Sequence, residues 1–237
     1  TAHSILEGKQ KLTCPIVLPN ESINLEEDFH FIKIVSPQIC MDVLQDFYWK
    51  KLPKWYHVDP IRDIQVLAPM HRGVIGIDQI NQVFQQYLGT QRRKFEIGAQ
   101  TYFIGDKVIQ LKNNYDKNIF NGDLGFVQDI DNENSNVTIN FNNEEHVLTL
   151  KDCLDLKLAY AISIHKSQGS EFPIVIIPLF KQHFVMLKRN LLYTAITRGR
   201  KKVFILGEPQ AYSMAVYALD STIRLTTLND RLNYMTN

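Results

Sequence analysis

Residues 158–179 read LAYAISIHKSQGSEFPIVIIPL. The apolar stretch Leu158 to Ile164 gives way to seven polar or small residues, His165 to Glu171, and a second apolar run, Ile174 to Leu179, follows. Near-continuous β-branched runs of this length, with no alternation, describe strands buried on both faces, as in a parallel sheet. Upstream, Phe29 to Val35 reads as a strand, Ser36 and Pro37 as an N-cap and first helical residue, and Ile39, Val43, Leu44, Phe47 and Tyr48 as one face of a helix reaching about Lys51. Asp63 to Ala68 is a short apolar strand closed by Pro69, and Asp78 to Leu88 an amphipathic helix. Downstream, Asn190 to Ile196 reads as a helix and Lys202 to Leu206 as a strand ended by Gly207. Strands alternating with helices predict an α/β domain around a parallel sheet.

Between Gly89 and Leu156 the period changes. Short alternating segments (KVIQL, GFVQDI, NVTINF, HVLTL) are separated by turn clusters such as Asn121-Gly122-Asp123 and Asn142-Asn143. That spacing predicts a small antiparallel β-barrel inserted into the α/β domain. The tail, Leu219 to Leu232, reads as helix and loop.

The composition, 45% hydrophobic and 22% charged over 237 residues, excludes disorder and coiled coil as descriptions of the whole chain. No apolar run approaches the roughly 20 residues of a membrane span, so no membrane partner is expected. Thr1 to Lys9 lacks the pattern of a secretory signal, and Cys14, Cys40 and Cys153 are few and scattered. Neither a disulfide framework nor a metal site is expected, which fits a cytoplasmic setting. The net charge is only +1, yet Phe172 to Gly207 contains no acid and seven basic residues: Lys181, Lys188, Arg189, Arg198, Arg200, Lys201 and Lys202. Such a segment either attracts polyanions or is balanced by acids elsewhere in the fold.

Three segments carry candidate chemistry, each where a strand or helix passes into a loop. The first is Pro69-Met70-His71-Arg72-Gly73-Val74-Ile75-Gly76, which leads into a helix. Its glycines permit either a close ligand or simply a tight turn, and free N–H groups at the helix start favour phosphate. The second is His165-Lys166-Ser167-Gln168-Gly169-Ser170-Glu171, a concentration of donors and acceptors suited to phosphates and sugars. The third is Tyr193 to Lys202, where a helix is expected to end on Gly199 and Arg198 stands free to reach a phosphoryl group. No G-x-x-x-x-G-K-[ST] occurs anywhere in the chain, so any nucleoside triphosphate site here has only one of its walls.

In this order QVLAPMHRGVIGIDQIN, GDKVIQLKNNYDKNIFNGDLG, LAYAISIHKSQGSEFPIVIIPL and RNLLYTAITRGRKKVFILG resemble the RecD-like DNA helicases of superfamily 1, from Gln65 to Gly207, and the opening Thr1 to Ile5 resembles the segment after that family's fourth motif. The resemblance implies the C-terminal part of an ATP-dependent 5′-to-3′ DNA helicase acting in repair, recombination or conjugation. Residues 1–89 and 158–237 would form the second RecA-like motor domain, and 90–157 an inserted SH3-like barrel. It implies that Pro69, Met70, Arg72, Gly73, His165, Lys166, Ser167 and Gln168 lie along single-stranded DNA. Gly169, Ser170 and Glu171 would lie nearer ATP, and Arg198 would act as the catalytic arginine finger. ATP with Mg2+ would be held mainly by a P-loop motor domain of the same polypeptide, leaving this region inactive on its own. The barrel would touch DNA, with Tyr102, Phe103, Tyr115, Phe120 and Phe126 as stacking candidates or as barrel core. Alternatively, it would dock a repair or single-strand-binding protein with no motor role.

Overall fold

The computed structural model describes residues 14–218 apart from 90 and 184. The readings of Thr1 to Ile5 and of Leu219 to Leu232 fall outside that range. Two short leading strands, β1 (Ile16–Val17) and β2 (Phe29–Lys33), precede helix α1 (Pro37–Asp46). Ser36 caps this helix, its hydroxyl accepting the Ile39 N–H. The helix expected to stop near Lys51 instead continues through a π-helical turn (Phe47–Lys51) into α2 (Leu52–Tyr56). Pro53 has no N–H for the regular ladder, and the Leu52 N–H reaches back five residues to the Phe47 carbonyl. After α3 (Pro60–Asp63) come β3 (Ile64–Ala68) and α4 (Ile77–Tyr87).

Seven strands follow: β4 (Lys94–Ile97), β5 (Gln100–Phe103), β6 (Lys107–Gln110), β7 (Leu124–Asp131), β8 (Asn136–Phe141), β9 (Glu144–Thr149) and β10 (Leu156–Leu158). The chain then returns through β11 (Ala161–Ser163), β12 (Phe172–Leu179), α5 (Arg189–Ile196), β13 (Gly199–Gly207) and α6 (Pro209–Tyr217).

The first and last groups build one all-parallel sheet in the order β1-β2-β13-β12-β3-β11. Its central strands are buried along their whole length at β3 and nearly so at β12, as both-face packing under helices requires. The inserted strands form an antiparallel sheet, β10-β6-β7-β8-β9, beside the hairpin β4-β5. Strand β8 alternates buried and half-buried residues along its length, the signature of a small one-core β unit.

One apolar run is divided between the two sheets. Leu158 to Ile164 is not a single strand: Leu156–Leu158 pairs with β6, whereas Ala161–Ser163 pairs with β3. The crossing at Ala159 and Tyr160 takes carbonyls out of the ladders; the Val66 N–H reaches that of Tyr160 at 3.3 Å, and two buried amides supply the other donors. Gln65 Nε2 donates to the Ala159 and Tyr160 carbonyls, both at 3.0 Å. Asn81 donates to the Leu158 and Ala161 carbonyls and accepts the Ala161 N–H at 2.8 Å.

Asp106, fully buried, locks the same junction. Its carboxylate accepts from Gln85 on α4, Arg92 before the hairpin, the Phe103 N–H and the Tyr160 hydroxyl. Four segments therefore meet on one side chain.

Candidate functional site

The loop from β11 to β12 is the centre of the site. Ser163 lies level with Ala68, while Ile174 lies level with Ile64. Between Ser163 and Phe172 the chain therefore descends about six strand residues, roughly 20 Å at the usual rise. It begins at the carboxyl edge of the sheet and ends at the amino edge.

At the carboxyl edge, His165–Ser167 forms a 3-10 turn whose Lys166 N–H is accepted by the Ser163 hydroxyl. His165, Lys166 and Gln168 are exposed; Ser167 is not. The Ser167 hydroxyl is buried and donates to the Ile164 carbonyl at 2.7 Å, so it shapes the turn rather than facing a ligand. Gly169 has φ +87°, a left-handed conformation with open space where a side chain would stand. Its glycine therefore serves the backbone, not a close approach.

The β3–α4 loop stands beside this turn, with Arg72 and Gly73 exposed and Met70 half-buried. Two expectations for it are corrected. Pro69 is buried, bordering the same small apolar space as Ile164, Leu179 and Leu187, so it forms floor rather than track. The helix-start N–H groups expected to be free are taken up: Ile77 donates to the Met70 carbonyl and Asp78 to that of His71. Gly76 is required because a Cβ there would lie 2.5 Å from the His71 carbonyl oxygen. The loop folds upon itself, and no phosphate site forms at that helix start.

Two concavities flank the 3-10 turn. One, of about 810 Å³, opens between α4 and the insertion and is lined by Gln82, Gln86, Gln100, Lys94, Lys157 and Lys166, among others. Lys157 was not singled out by sequence because it reads as the solvated residue of a three-residue strand whose neighbours, Leu156 and Leu158, are buried. Only the topology turns it towards Lys166. Burial and the Lys157 charge together lower the Lys166 ammonium from its ordinary range. The pair thus makes a positive edge with no carboxylate partner among the described residues. The second cavity, of about 430 Å³, lies between His165 and Gln168 on one side and Met186 and Leu191 on the other.

At the amino edge, the Arg198 guanidinium is half-buried. It donates to the carbonyls of Ser170 (3.1 Å) and Thr194 (3.2 Å) and to the Thr197 hydroxyl (3.3 Å). All three acceptors are neutral. Glu171 is exposed beside them. Gly199 is not the left-handed helix cap expected: the helix is capped by Thr197 in right-handed conformation, and Gly199 already belongs to β13. A Cβ at Gly199 would collide with the Val203 side chain.

Part of the basic segment is paired locally. Lys202 binds Asp28 and the carbonyls of Glu26 and Glu27, Lys181 faces Glu208, and Arg189 donates to the Val216 carbonyl. Arg200 and Lys201 remain exposed. Of the insertion's aromatics, Tyr102 and Phe103 are buried and Phe126 is covered by the Arg62 guanidinium, 5.2 Å from its ring centre. Tyr115 and Phe120 are exposed, with ring centres 6.4 Å apart.

A parallel sheet with flanking helices, a functional loop crossing it and a small β unit inserted in it resemble a RecA-like helicase motor fold carrying an SH3-like domain. Family models agree. Residues 158–206 match the UvrD-like helicase C-terminal domain, and residues 80–141 the ATP-dependent RecD-like DNA helicase SH3 domain. Among curated relatives, the ATP-dependent RecD2 DNA helicase of Deinococcus radiodurans is 37% identical over 169 residues, 71% of this chain and 23% of the relative. The RecBCD enzyme subunit RecD of Buchnera aphidicola is 30% identical over 195 residues, 78% of this chain and 32% of the relative. Among solved structures, Pif1 helicase from Bacteroides in complex with ADP-AlF3 and ssDNA aligns with a TM-score of 0.46 at 19% identity, covering 83% of this chain and 50% of that one. The chain resembles the C-terminal part of a RecD-like superfamily 1 helicase, and it spans about a quarter to a third of the length of these curated relatives. No helix among the described residues is long and apolar enough to cross a membrane.

Proposed function

We propose that this chain is the second motor domain of an ATP-dependent 5′-to-3′ DNA helicase, with residues 1–89 and 158–237 as the motor unit and the β insertion between them. The single observation that supports this most is the reach of the loop from Ser163 to Phe172. It presents an exposed basic turn at one edge of the sheet and meets Arg198 at the other. In this reading single-stranded DNA lies against Met70, Arg72, Gly73, His165, Lys166 and Gln168, with Lys157 as a further backbone contact from the insertion side. Lysines beside neutral amides suit a sugar–phosphate backbone held without regard to sequence.

ATP fits the other edge in part. The Arg198 guanidinium is oriented by neutral oxygens only, which leaves its charge for a phosphate. Ser170 and Glu171 lie next to it. Among the described residues there is no cluster of three or more acidic, histidine or cysteine side chains to hold a metal, so Mg2+ would be held by a P-loop domain of the same polypeptide. When bound, ATP supplies the closure energy and the phosphoryl chemistry. The chain's own residues contribute one cation and a loop that joins nucleotide and DNA edges. Without a P-loop the region is inactive alone, and robust ATP hydrolysis by the purified 237-residue chain would refute this.

A second reading is favoured by one observation. Tyr115 and Phe120 are exposed on the insertion among Asp116, Lys117 and Asp123, an aromatic pair in a setting with no surplus of positive charge, which suits a protein partner better than a DNA strand. The insertion would then dock a repair or single-strand-binding protein. Binding of the partner that is lost with Tyr115→Ala while ATPase is retained would establish this reading.

A further inference from the structure

The insertion reaches the nucleotide edge through a buried lysine. Lys107, at the start of β6, is only 1% exposed, yet it carries its amino group into the boundary between the two sheets. Its Nζ donates to the Ile64 carbonyl at 3.2 Å and lies 5.7 Å from the centre of the Phe172 ring. Its own carbonyl accepts the Ala159 N–H at 2.8 Å, which fixes the base of the side chain at the crossing between sheets.

Phe172 is the hinge of this arrangement. It begins β12, and its N–H donates to the Arg198 carbonyl at 2.9 Å. The ladder is irregular here: Phe172 pairs with Gly199, but Ile174 pairs with Lys202, so one extra residue bulges from β13 between Gly199 and Lys202. The Phe172 N–H is thus the bond from β12 to the Arg198 backbone just before the ladder shifts register. The ring of Phe172 is in turn held from beneath by Lys107.

We propose that Lys107 is a positioning residue for Arg198: an insertion side chain that holds Phe172, and through Phe172 the backbone of the phosphate-facing arginine. The inference rests on the proposed role of Arg198 in ATP turnover. It makes the insertion part of the motor's nucleotide edge. Movement of the insertion on a DNA strand would then be transmitted to Arg198 through one buried contact.

The test uses the full-length helicase that carries this chain. Lys107→Met keeps the length and apolar stem while removing the amino group that bonds the Ile64 carbonyl and lies over the Phe172 ring; Phe172→Leu keeps the strand apolar while removing the ring. Each is expected to lower the DNA-stimulated kcat for ATP by roughly tenfold, as a small misplacement of a catalytic group does. KM for ATP and affinity for single-stranded DNA should stay within about twofold, and the double variant should be no slower than the worse single one. Unchanged kcat in folded Lys107→Met protein would overturn the inference and leave the motor reading intact, as would additive losses in the double variant. If Lys107→Met does not fold, Phe172→Leu alone decides by the same kcat and KM criteria. A full-length protein lacking DNA-stimulated ATPase would overturn the motor reading, and this inference with it.

Discussion

Arg198 and Ser170, 28 residues apart in sequence, are joined by a 3.1 Å hydrogen bond from the guanidinium to the carbonyl. Ser170 closes the loop that opens with the exposed turn His165–Ser167, so the bond makes a mechanical link between the two edges of the sheet. Only the six residues His165 to Ser170 run from the start of the exposed turn to the carbonyl that the guanidinium binds. Under the proposed motor function, they are the route by which strand binding would reach a phosphate contact.

Replacing Arg198 by alanine in the full-length helicase is expected to cut ATP turnover by about 10³-fold or more, the usual contribution of an arginine finger. Strand affinity should change by less than about threefold, because the side-chain bonds of Arg198 go to Ser170, Thr194 and Thr197 and to none of the residues placed along the strand. Steady-state ATPase and anisotropy titration measure the two quantities separately. A loss of turnover below about tenfold would reject the role.

Lys157→Ala and Lys166→Ala should each weaken single-stranded DNA binding to a similar degree across sequences. Each should also reduce the slope of log K against log salt by about 0.7, the value for one phosphate contact on a single strand. Lys157→Ala removes the like charge that lowers Lys166, so the Lys166 ammonium should titrate at higher pH in that variant. Salt-dependent anisotropy and NMR titration check the pair. Identical salt slopes in wild type and both variants would place the strand elsewhere.

The sheet was legible because its strands are apolar on both faces and its helices are amphipathic, so period and length alone located β3, β12, α4 and α5. The turn at His165 was legible because seven polar or small residues interrupt an apolar run. Topology was not. Nothing in Leu158 to Ile164 signals that the run divides between two sheets, since the donors that make the division affordable, Gln65 and Asn81, lie more than 75 residues away in sequence. Lys157 and Lys107 escaped notice for the same reason. Each is an ordinary lysine in a short strand until the insertion folds back onto the motor sheet. Pro69 and Ser167 were overread, because a motif position does not say which side chains its own turn consumes.

Asp106→Asn tests the junction. Four donors converge on the carboxylate, from Gln85, Arg92, the Phe103 N–H and Tyr160, and an amide would turn one NH2 group against them. The Arg92 charge would also lose its partner, at 3.0 Å in the native protein. Breaking such a buried pair costs about 3–5 kcal/mol, so a large drop in unfolding free energy is expected. Chemical denaturation measures it; a change under about 1 kcal/mol would show that the junction tolerates a donor in place of the acceptor.

Lys107 makes stability depend on pH in the same direction as a carboxylate whose pKa is depressed on folding, rising with pH, but in a neutral-to-alkaline window rather than an acid one. Burial lowers its ammonium from 10.5 to about 7, against the weaker raising influence of Asp59 and Asp63. In the unfolded chain the same group holds its proton up to about 10.5. Below about pH 7 both states are protonated and the penalty of the buried charge is present in full. Between those two values the unfolded state binds a proton that the folded state has released, so this group's contribution to stability rises with pH. The slope approaches about 1.4 kcal/mol per pH unit for a single group. Lys107→Met removes the titration and leaves an apolar side chain of similar length, which a buried site accepts without loss. Urea unfolding between pH 6.5 and 9 should therefore show the methionine variant more stable than wild type at the acid end, with the gap closing as pH rises. Parallel stability curves across that range would mean that Lys107 keeps its proton in the folded protein, held there by Asp59, Asp63 and the Phe172 ring.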